Sequence, residues 1–391
     1  MLRRSSQGDK ILDPRGPVMY KYSFHWEVPF VTDRALSRTS TADRPTVGHP
    51  SAAAALGTPP VARPVRVGIA GVTGFAGQEL LRLMARHPHA RITAAMSSGT
   101  SGSARKLPAL DRMWDGAVVP FDADSLEDAT DVVFLSLPED VAADVAPALL
   151  DRGVRVIDLS GAFRLRDEAI RQRWYPKTRT PMVEPVYGLT ERHGAALRDA
   201  QFVTCPGCYP TAALLALEPL AEANLLAGEV VIDAKSGISG AGKTPSERTH
   251  FSECHGSVSA YGVFGHRHGP EIEQELGRAV NFVPHLVPLD RGILETIYAR
   301  VTPGTTMRHV HDVLQAAYAS APFVRLRGDT LPEIKHVVYT NFCDIGWRVD
   351  EPTGRLLMVS CLDNLVKGAA GQAVQNFNVV LGFDERAGLL T

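Results

Sequence analysis

The chain has 391 residues, of which 45% are hydrophobic and 21% charged, and its formal net charge is −2. This length accommodates two domains or one large one, and the composition is that of an ordinary globular protein. The nearly balanced charge predicts no nucleic-acid partner, and no apolar run reaches the roughly 18 residues that a membrane span requires. Five cysteines, an odd number, argue against a disulfide framework and favour a reducing compartment.

Residues 1–64 differ in composition from the rest of the chain, because they are rich in Arg, Ser, Thr, Ala and Pro without sustained periodicity. Two interpretations stay open. The first is a flexible extension or an overlong predicted start, and the second is an organelle transit segment. Acidic residues such as Asp9 and Glu27 count against a transit segment, which is usually poor in acids. We therefore expect a cytoplasmic protein, with the plastid stroma as the alternative if residues 1–64 are a transit segment.

The next part of the chain alternates strands with helices. The β-branched run Val65–Ala70 predicts a buried strand, and helical spacing follows over residues 78–86. Further strands are expected at 90–98, 131–138, 154–160 and 201–207, with another helix at 139–153. This alternation predicts an α/β fold in which helices cover both faces of a mostly parallel, Rossmann-type sheet.

The pattern changes after Tyr209. A helix is expected at 210–228, strands at 229–237, 293–303, 336–350 and 355–363, and a closing helix at 364–383. This order predicts an α+β domain with a largely antiparallel sheet. We expect a dinucleotide-binding domain over 65–207 and 362–391, and a catalytic and substrate domain over 208–361.

A glycine-rich turn, G-x-x-G-x-x-G, joins the first strand to the first helix. Gly71, Gly74 and Gly77 supply the glycines, and Thr73 lies between them. A dinucleotide site needs this context, because the glycines let the backbone approach a pyrophosphate at a helix N-terminus. The spacing differs from the usual G-x-G-x-x-G, and a ligand-free βα turn is the competing interpretation.

The end of the second strand indicates which dinucleotide binds. Sites that prefer NAD usually carry an acidic residue there for the ribose hydroxyls. This chain instead has hydroxyls such as Ser98, followed by Arg105 and Lys106. Hydroxyls and cations without a carboxylate suit a 2′-phosphate and predict NADP(H). A polar surface loop is the alternative for each residue taken singly.

Cys208 follows a Pro-Gly turn and begins a predicted helix. The positive end of the helix dipole is expected to lower the pKa of its thiol and to favour a nucleophilic thiolate. Cys205 and Cys208 also have C-x-x-C spacing, but no second cysteine pair completes a zinc site, and no metal is predicted. The remaining alternative is a buried cysteine that serves as a small hydrophobe.

A cysteine nucleophile needs a base, and a glycine-flanked loop offers His266 and His268 just before a helix expected near Pro270. We expect His268, beside the helix start, to transfer the proton, with His266 near it. Isolated histidines are more often surface or core residues. The prediction rests on the presence of two histidines in one short loop of a chain that also has a candidate nucleophile, Cys208.

The segment Gly237–Thr244 matches the phosphate-loop pattern G-x-x-x-x-G-K-[ST] letter for letter. A working phosphate loop runs from a strand directly into a helix that faces the phosphates. The residues after Thr244 have no apolar stripe, so the sequence predicts no such helix and no ATP site.

These residues together resemble the N-acetyl-gamma-glutamyl-phosphate reductase family, the NADP-dependent enzymes of arginine biosynthesis, from Val65 to Leu390. The motifs that carry the resemblance are "GVTGFAGQELLRL", "VIDLSGAFRLRD", "PGCYPTAALLALEPL", "IDAKSGISGAG", "AYGVFGHRHGPEIEQEL" and "DNLVKGAAGQAVQN". The resemblance implies reduction of an acyl phosphate to a semialdehyde through a Cys208 thioester. It also implies a small-molecule substrate and a homo-oligomer, either a dimer or a tetramer. Aspartate-semialdehyde dehydrogenase and aminoadipyl-phosphate reductase stay open as related alternatives.

The resemblance also implies site residues beyond the nucleophile and the base. It assigns Ser239, Gly240, Gly242 and Asn364 to the cofactor and Ser236 to the substrate, and charge suggests Arg164 and Arg291 as anchors of the substrate's phosphate and carboxylate. Four residues depart from the family's usual pattern without removing a reacting group. These are Glu139, Gly161, Thr204 and Cys205.

Overall fold

The computed structural model describes residues 63–390. The N-terminal extension expected over residues 1–64 therefore lies outside the described residues, except for Arg63 and Pro64. Among the described residues, no helix is long and apolar enough to cross a membrane.

The helices and strands follow one another in two groups along the chain. The helices are α1 (Phe75–Met84), α2 (Ala123–Ala129), α3 (Glu139–Asp151), α4 (Glu168–Trp174), α5 (Thr190–Leu197), α6 (Cys208–Glu222), α7 (Phe251–Cys254), α8 (His268–Leu276), α9 (Met307–Tyr318) and α10 (Gly371–Val380). The strands are β1 (Val65–Ala70), β2 (Ala90–Met96), β3 (Val132–Leu135), β4 (Arg155–Asp158), β5 (Val186–Tyr187), β6 (Phe202–Thr204), β7 (Leu226–Ser236), β8 (Ser259–Ala260), β9 (Asn281–Leu286), β10 (Ile293–Val301), β11 (Val324–Gly328), β12 (Cys343–Asp350) and β13 (Arg355–Leu362).

The first six strands form one parallel sheet in the order β2-β1-β3-β4-β6-β5. Alternate residues of its central strands face opposite layers, as the pleat requires. Ile69 of β1 packs with α1 and α10, whereas Val133 and Leu135 of β3 pack with α2 and α3. The sheet is thus covered on both faces, and the predicted Rossmann-type architecture is confirmed.

The second sheet has seven strands in the order β11-β12-β13-β10-β7-β9-β8. Four of its strand pairings are antiparallel, and two, β7 with β9 and β11 with β12, are parallel. The largely antiparallel sheet expected from the sequence is therefore present, with parallel pairs near both edges. One face packs on α6, α8 and α9 around a core that includes Trp347.

Helix α6 is mostly apolar and is buried on all sides over most of its length. Twelve of its residues are buried, from Tyr209 to Leu220, which is the pattern of a helix enclosed by the core. The helix expected over 210–228 therefore ends earlier, at Glu222, and Leu226–Gly228 begin β7 instead. Because α6 starts at Cys208, the core packing of the whole helix fixes the position of that residue.

Three further boundaries differ from the sequence expectations. The first helix starts at Phe75, three residues earlier than expected, because Gly74 already serves as its N-cap. The strand expected over 336–350 begins only at Cys343, after a short 3-10 turn at Ile334–His336. The closing helix opens with a π-helical turn, Val366–Ala370, before α10.

Candidate active site

A cleft with a volume of about 310 Å³, here called the Cys208 cleft, lies where the carboxyl ends of the parallel strands meet the start of α6. Eight of the residues that the sequence analysis selected line it. They are Gly74, Arg164, Cys208, Ser239, Gly240, Gly242, His268 and Asn364. The other selected residues lie outside it: Gly71, Thr73, Gly77, Ser98, Arg105, Ser236, His266 and Arg291.

Cys208 is the first residue of α6, as the sequence predicts, and Gly207 is the N-cap. The prediction of a lowered thiol pKa is wrong, because burial raises the pKa of the Cys208 thiol to about 12. The positive charge of Arg164 and a backbone hydrogen bond from Tyr209 act in the opposite direction but are outweighed. Desolvation of the thiolate costs more here than the helix terminus returns. The thiol therefore needs a proton acceptor.

His268 lies directly against the turn that precedes the nucleophile. Its Nε2 comes so close to Gly207 that a β-carbon on that residue would collide with the ring. Burial, with the nearby charges of His266, Arg164 and Arg267, holds the pKa of His268 well below its usual range. The ring is therefore neutral at physiological pH and has a lone pair that can accept a proton, but the same burial makes it a weaker base than a free imidazole.

Hydrogen-bond partners assign the tautomers of both histidines. Arg164 Nη1 lies 3.4 Å from His268 Nε2, and because a guanidinium only donates, Nε2 must accept and the ring proton sits on Nδ1. The backbone N–H of His268 donates to Nδ1 of His266 at 3.1 Å, so the neutral His266 carries its proton on Nε2. Burial and the charge of Arg267 lower the pKa of His266 to about 4. Both rings are thus neutral bases.

A buried ion pair holds the turn before Cys208 in place. Glu271 is fully buried and accepts hydrogen bonds from the Gly207 backbone N–H and the Tyr187 hydroxyl, each at 2.8 Å. Its second oxygen pairs with Arg164 at 3.4 Å. Sequence reasoning did not select Glu271 as a site residue. The spacing was available, since Glu271 follows His268 by three positions, one turn along α8.

The two arginines selected as substrate anchors are already engaged. Arg164 donates from Nε to the Cys205 carbonyl and from Nη2 to the Leu159 carbonyl, both at 2.8 Å, in addition to its contacts with His268 and Glu271. Arg291 pairs with Glu79 at 3.1 Å and with Asp363 at 3.6 Å, and its guanidinium stacks over Tyr339. The structure thus places Arg164 as a support of the turn and Arg291 as a link between α1 and the end of β13.

The glycine loop has the shape that a bound dinucleotide requires. Gly71 has φ +90°, and a β-carbon there would collide with the Ser136 carbonyl, while one on Gly77 would collide with the Gly71 carbonyl. Gly74 instead lines the Cys208 cleft at the N-terminus of α1, and a β-carbon there would make only an ordinary contact, 3.6 Å from the Gly71 carbonyl. Two glycines thus pack the turn tightly, and the third leaves its backbone accessible to a ligand.

The phosphate-loop match does not continue into a helix. After β7 the chain forms a 3-10 turn at Ile238–Ala241, and exposed loop residues follow. Ser239 accepts a hydrogen bond from Asn364 at 3.0 Å, and Lys243 donates to the Thr73 carbonyl at 3.2 Å. The segment therefore contacts the glycine loop and lines the Cys208 cleft, and it lacks the helix of a working phosphate loop, as the sequence analysis expected.

The four residues that depart from the family pattern are Glu139, Gly161, Thr204 and Cys205, and each has a defined environment in the structure. Glu139 pairs with Arg267 of the histidine loop. Gly161 packs so closely on Tyr175 that a β-carbon would collide with the phenol. Cys205 is buried with its Sγ 3.5 Å from Asn376 Nδ2, whereas the buried hydroxyl of Thr204 has no hydrogen-bond partner in the described structure.

Comparisons with known proteins support these observations. Residues 66–200 match the model of the semialdehyde dehydrogenase NAD binding domain, and residues 208–364 match that of the semialdehyde dehydrogenase dimerisation domain. N-acetyl-gamma-glutamyl-phosphate reductase of Shouchella clausii is 44% identical over 337 residues, which cover 83% of this chain and 98% of that protein. The Bacillus subtilis enzyme of the same name is 42% identical over 338 residues, with the same coverage. The chain belongs to the N-acetyl-gamma-glutamyl-phosphate reductase family.

Solved structures agree on the fold. Aspartate semialdehyde dehydrogenase II of Vibrio cholerae, complexed with ASA, superposes with a TM-score of 0.63 at 18% identity, over 82% of this chain and 99% of that one. Aspartate semialdehyde dehydrogenase of Candida albicans with NADP gives 0.61 at 18% identity, over 81% and 98%. These structures show the fold, and the two matched family models show that a dinucleotide-binding domain of the NAD(P) type and a dimerisation domain are present.

Proposed function

We propose that this chain catalyses the NADPH-dependent reduction of N-acetyl-gamma-glutamyl phosphate to N-acetylglutamate 5-semialdehyde and phosphate, in arginine biosynthesis. The observation that carries the proposal is the single cleft that joins Cys208, the neutral His268 and the glycine loop at Gly74. The names of the curated relatives supply the substrate. A nucleophile, a base and a cofactor loop in one cleft are what reductive acyl transfer needs.

The covalent step uses Cys208 as the nucleophile and His268 as the base. His268 Nε2, which lies against Gly207, takes the thiol proton as Sγ attacks the acyl carbon, and it releases its long 3.4 Å contact with Arg164 in doing so. A carbon–sulfur bond forms, the bond from that carbon to the phosphate oxygen breaks, and phosphate leaves with its electron pair. The product is a thioester on Cys208, which accepts a hydride more readily than a carboxylate does.

The second half of the reaction reverses the proton transfer. When bound, the reduced nicotinamide supplies the hydride to the acyl carbon. His268, now protonated, donates its proton as the carbon–sulfur bond breaks, so that neutral imidazole and the Cys208 thiol are restored. Glu271 keeps both groups aligned, because the same carboxylate holds the Gly207 N–H and the Arg164 guanidinium that touches His268.

The preference for NADP over NAD is part of the proposal and rests on the loop after β2. Ser98, Arg105 and Lys106 are exposed there, and residues 97–106 contain no carboxylate. We expect Arg105→Gln to raise the KM for NADP by about tenfold, since one charge-assisted hydrogen bond is lost, and to leave the KM for NAD unchanged. An equal rise for both cofactors would show that Arg105 does not contact the 2′-phosphate.

The reaction is tested in the reverse direction, as phosphate-dependent reduction of NADP with N-acetylglutamate 5-semialdehyde. Aspartate semialdehyde serves as the competing substrate, and the proposal fails if it is the preferred one. Cys208→Ser should abolish turnover while NADPH binding, measured by fluorescence, is retained. Turnover by Cys208→Ser would refute the nucleophile, and Cys205→Ser is the matched control because it removes the neighbouring thiol of the same turn.

A homo-oligomer is proposed because the matched domain is a dimerisation domain and because one face of the second sheet carries exposed side chains of β10. Tyr298 of β10 is 48% exposed on that face, next to Arg300. Sedimentation of Tyr298→Glu against wild type tests this assignment, since a charge in the interface should dissociate the assembly. The cytoplasmic location expected from the sequence stays a prediction.

A further inference from the structure

A second cleft, here called the outer cleft, adjoins the Cys208 cleft and has a volume of about 830 Å³. The two clefts share Gly240. The histidine loop also lines both, with His266 and Arg267 in the outer cleft and His268 in the Cys208 cleft. The outer cleft therefore borders the cleft of the nucleophile at Gly240 and at the histidine loop.

Within the described part of the chain, the outer cleft contains one guanidinium without a carboxylate partner. Arg267 pairs with Glu139, so its charge is already compensated. Arg248, by contrast, has no carboxylate within 4.0 Å among residues 63–390. Arg164 and Arg291 are also engaged by carboxylates, whereas Arg248 has no such partner among residues 63–390 and can offer its charge to an anion.

Two tyrosine rings connect Arg248 to the nucleophile. The guanidinium carbon of Arg248 lies 5.5 Å from the centre of the Tyr261 ring, in a cation–π arrangement. The Tyr261 hydroxyl lies 3.4 Å from that of Tyr209, the residue after Cys208, and the Tyr261 ring meets His266 edge-on at 5.5 Å. Stacking uses the face of the guanidinium and leaves the N–H groups on its edge free for a planar anion.

The substrate of the proposed function carries such an anion. Its α-carboxylate is separated from the reacting acyl carbon by four carbon–carbon bonds, an extended length of roughly 5–6 Å. On the basis of that proposed function, we infer that Arg248 binds the α-carboxylate. This contact would make the enzyme specific for acyl groups that carry an α-carboxylate. Glu247 and Glu253 also line the outer cleft. Both are exposed to water, as Arg248 is, so charge alone acts weakly here. Arg248 differs from the two carboxylates because it can donate hydrogen bonds to the substrate's carboxylate.

The test compares Arg248→Gln with wild type on two aldehydes. N-acetylglutamate 5-semialdehyde has the α-carboxylate, and 4-acetamidobutanal has the same chain and acetamide without it. We expect the variant to raise the KM for the first aldehyde about ten- to a hundredfold, with kcat changed by less than about twofold. For 4-acetamidobutanal the variant and wild type should have equal kcat/KM. Arg248→Lys should restore part of the affinity, because it keeps the charge but not the planar fork.

A binding measurement without turnover provides a second readout. N-acetyl-L-norvaline keeps the α-carboxylate and lacks the reacting carbonyl, so its calorimetric Kd should rise in Arg248→Gln by the same factor as the KM. The control is Arg179→Gln, which removes an exposed arginine that lines neither cleft. It should leave both constants unchanged.

The possible outcomes separate this inference from the proposed function. An unchanged KM in Arg248→Gln, or an equal loss on both aldehydes, overturns the role of Arg248 while the reductase activity stands. Wild-type enzyme that is inactive with N-acetylglutamate 5-semialdehyde refutes the proposed function and this inference with it.

Discussion

Replacing Gly368 with alanine tests how closely the nucleophile is held. Gly368 lies in the π-helical turn Val366–Ala370, against the first turn of α6. A β-carbon at this position would lie 2.7 Å from the β-carbon of Cys208 and 3.2 Å from its α-carbon, with Leu362 also at 3.2 Å. The added methyl group therefore cannot be accommodated unless Cys208 or the turn moves.

The size of the effect follows from the overlap. Carbon atoms rest about 3.5–4.0 Å apart, so relief of the 2.7 Å contact requires a shift of about 1 Å. A misplacement of about 1 Å in a reacting group costs about a hundredfold in rate. We expect Gly368→Ala to lower kcat by about that factor, with NADP binding retained because the glycine loop is not touched.

The assay is kcat for phosphate-dependent NADP reduction, together with the rate of Cys208 alkylation by iodoacetamide. The matched control is Gly194→Ala in α5, where an added β-carbon has no neighbour within 4 Å. A kcat of Gly368→Ala within about threefold of wild type, in a variant that folds as stably as the control, would refute the close packing of the nucleophile.

Three further changes have defined outcomes. Glu271→Ala should lower the free energy of unfolding by about 3–5 kcal/mol, because it leaves the Arg164 charge buried without its partner. Glu271→Gln should lower it by less, and equal losses for the two variants in urea titrations would contradict this reasoning. Because burial raises the pKa of the Cys208 thiol to about 12, its alkylation rate in the free enzyme should keep rising with pH through pH 10, and a plateau near neutral pH would be inconsistent with that burial. Gly161→Ala should destabilise the fold by about 1–3 kcal/mol, since the methyl group meets Tyr175, and thermal unfolding that matches wild type would show that the phenol moves freely.

The sequence predicts the parallel half of the fold well because its signals are local. The β-branched run that predicts β1 begins at Val65 and ends at Ala70, before a glycine turn, and the structure confirms both ends of the strand. Helix α9 was not predicted, although it has a capped start at Thr306 and a strong apolar stripe. The segments on either side of it were predicted as strands. The parallel pairing of β7 with β9 joins segments that are distant in sequence, so neither segment alone predicts it.

The site is predictable where chemistry depends on residue type and unpredictable where it depends on tertiary surroundings. A cysteine at a helix start and a histidine loop can be read from the sequence, and the structure brings Cys208 and His268 into one cleft. The direction of the thiol pKa shift was wrong, because the helix dipole is a local effect and burial is not. The sequence likewise cannot show that Arg164 is already held by Glu271, across more than a hundred residues.

The last helix has a consequence for how the chain is made. Residues of α10, among them Val374 and Phe377, belong to the same core as Val67 and Ile69 of β1, the first strand of the fold. A ribosome releases the chain from its N-terminus, so β1 emerges some three hundred residues before the helix that covers it. The cofactor-binding half is therefore synthesised first and completed last. Until α10 has been synthesised, the part of this face that α10 covers stays exposed on the nascent chain, whereas α1 can already cover the rest.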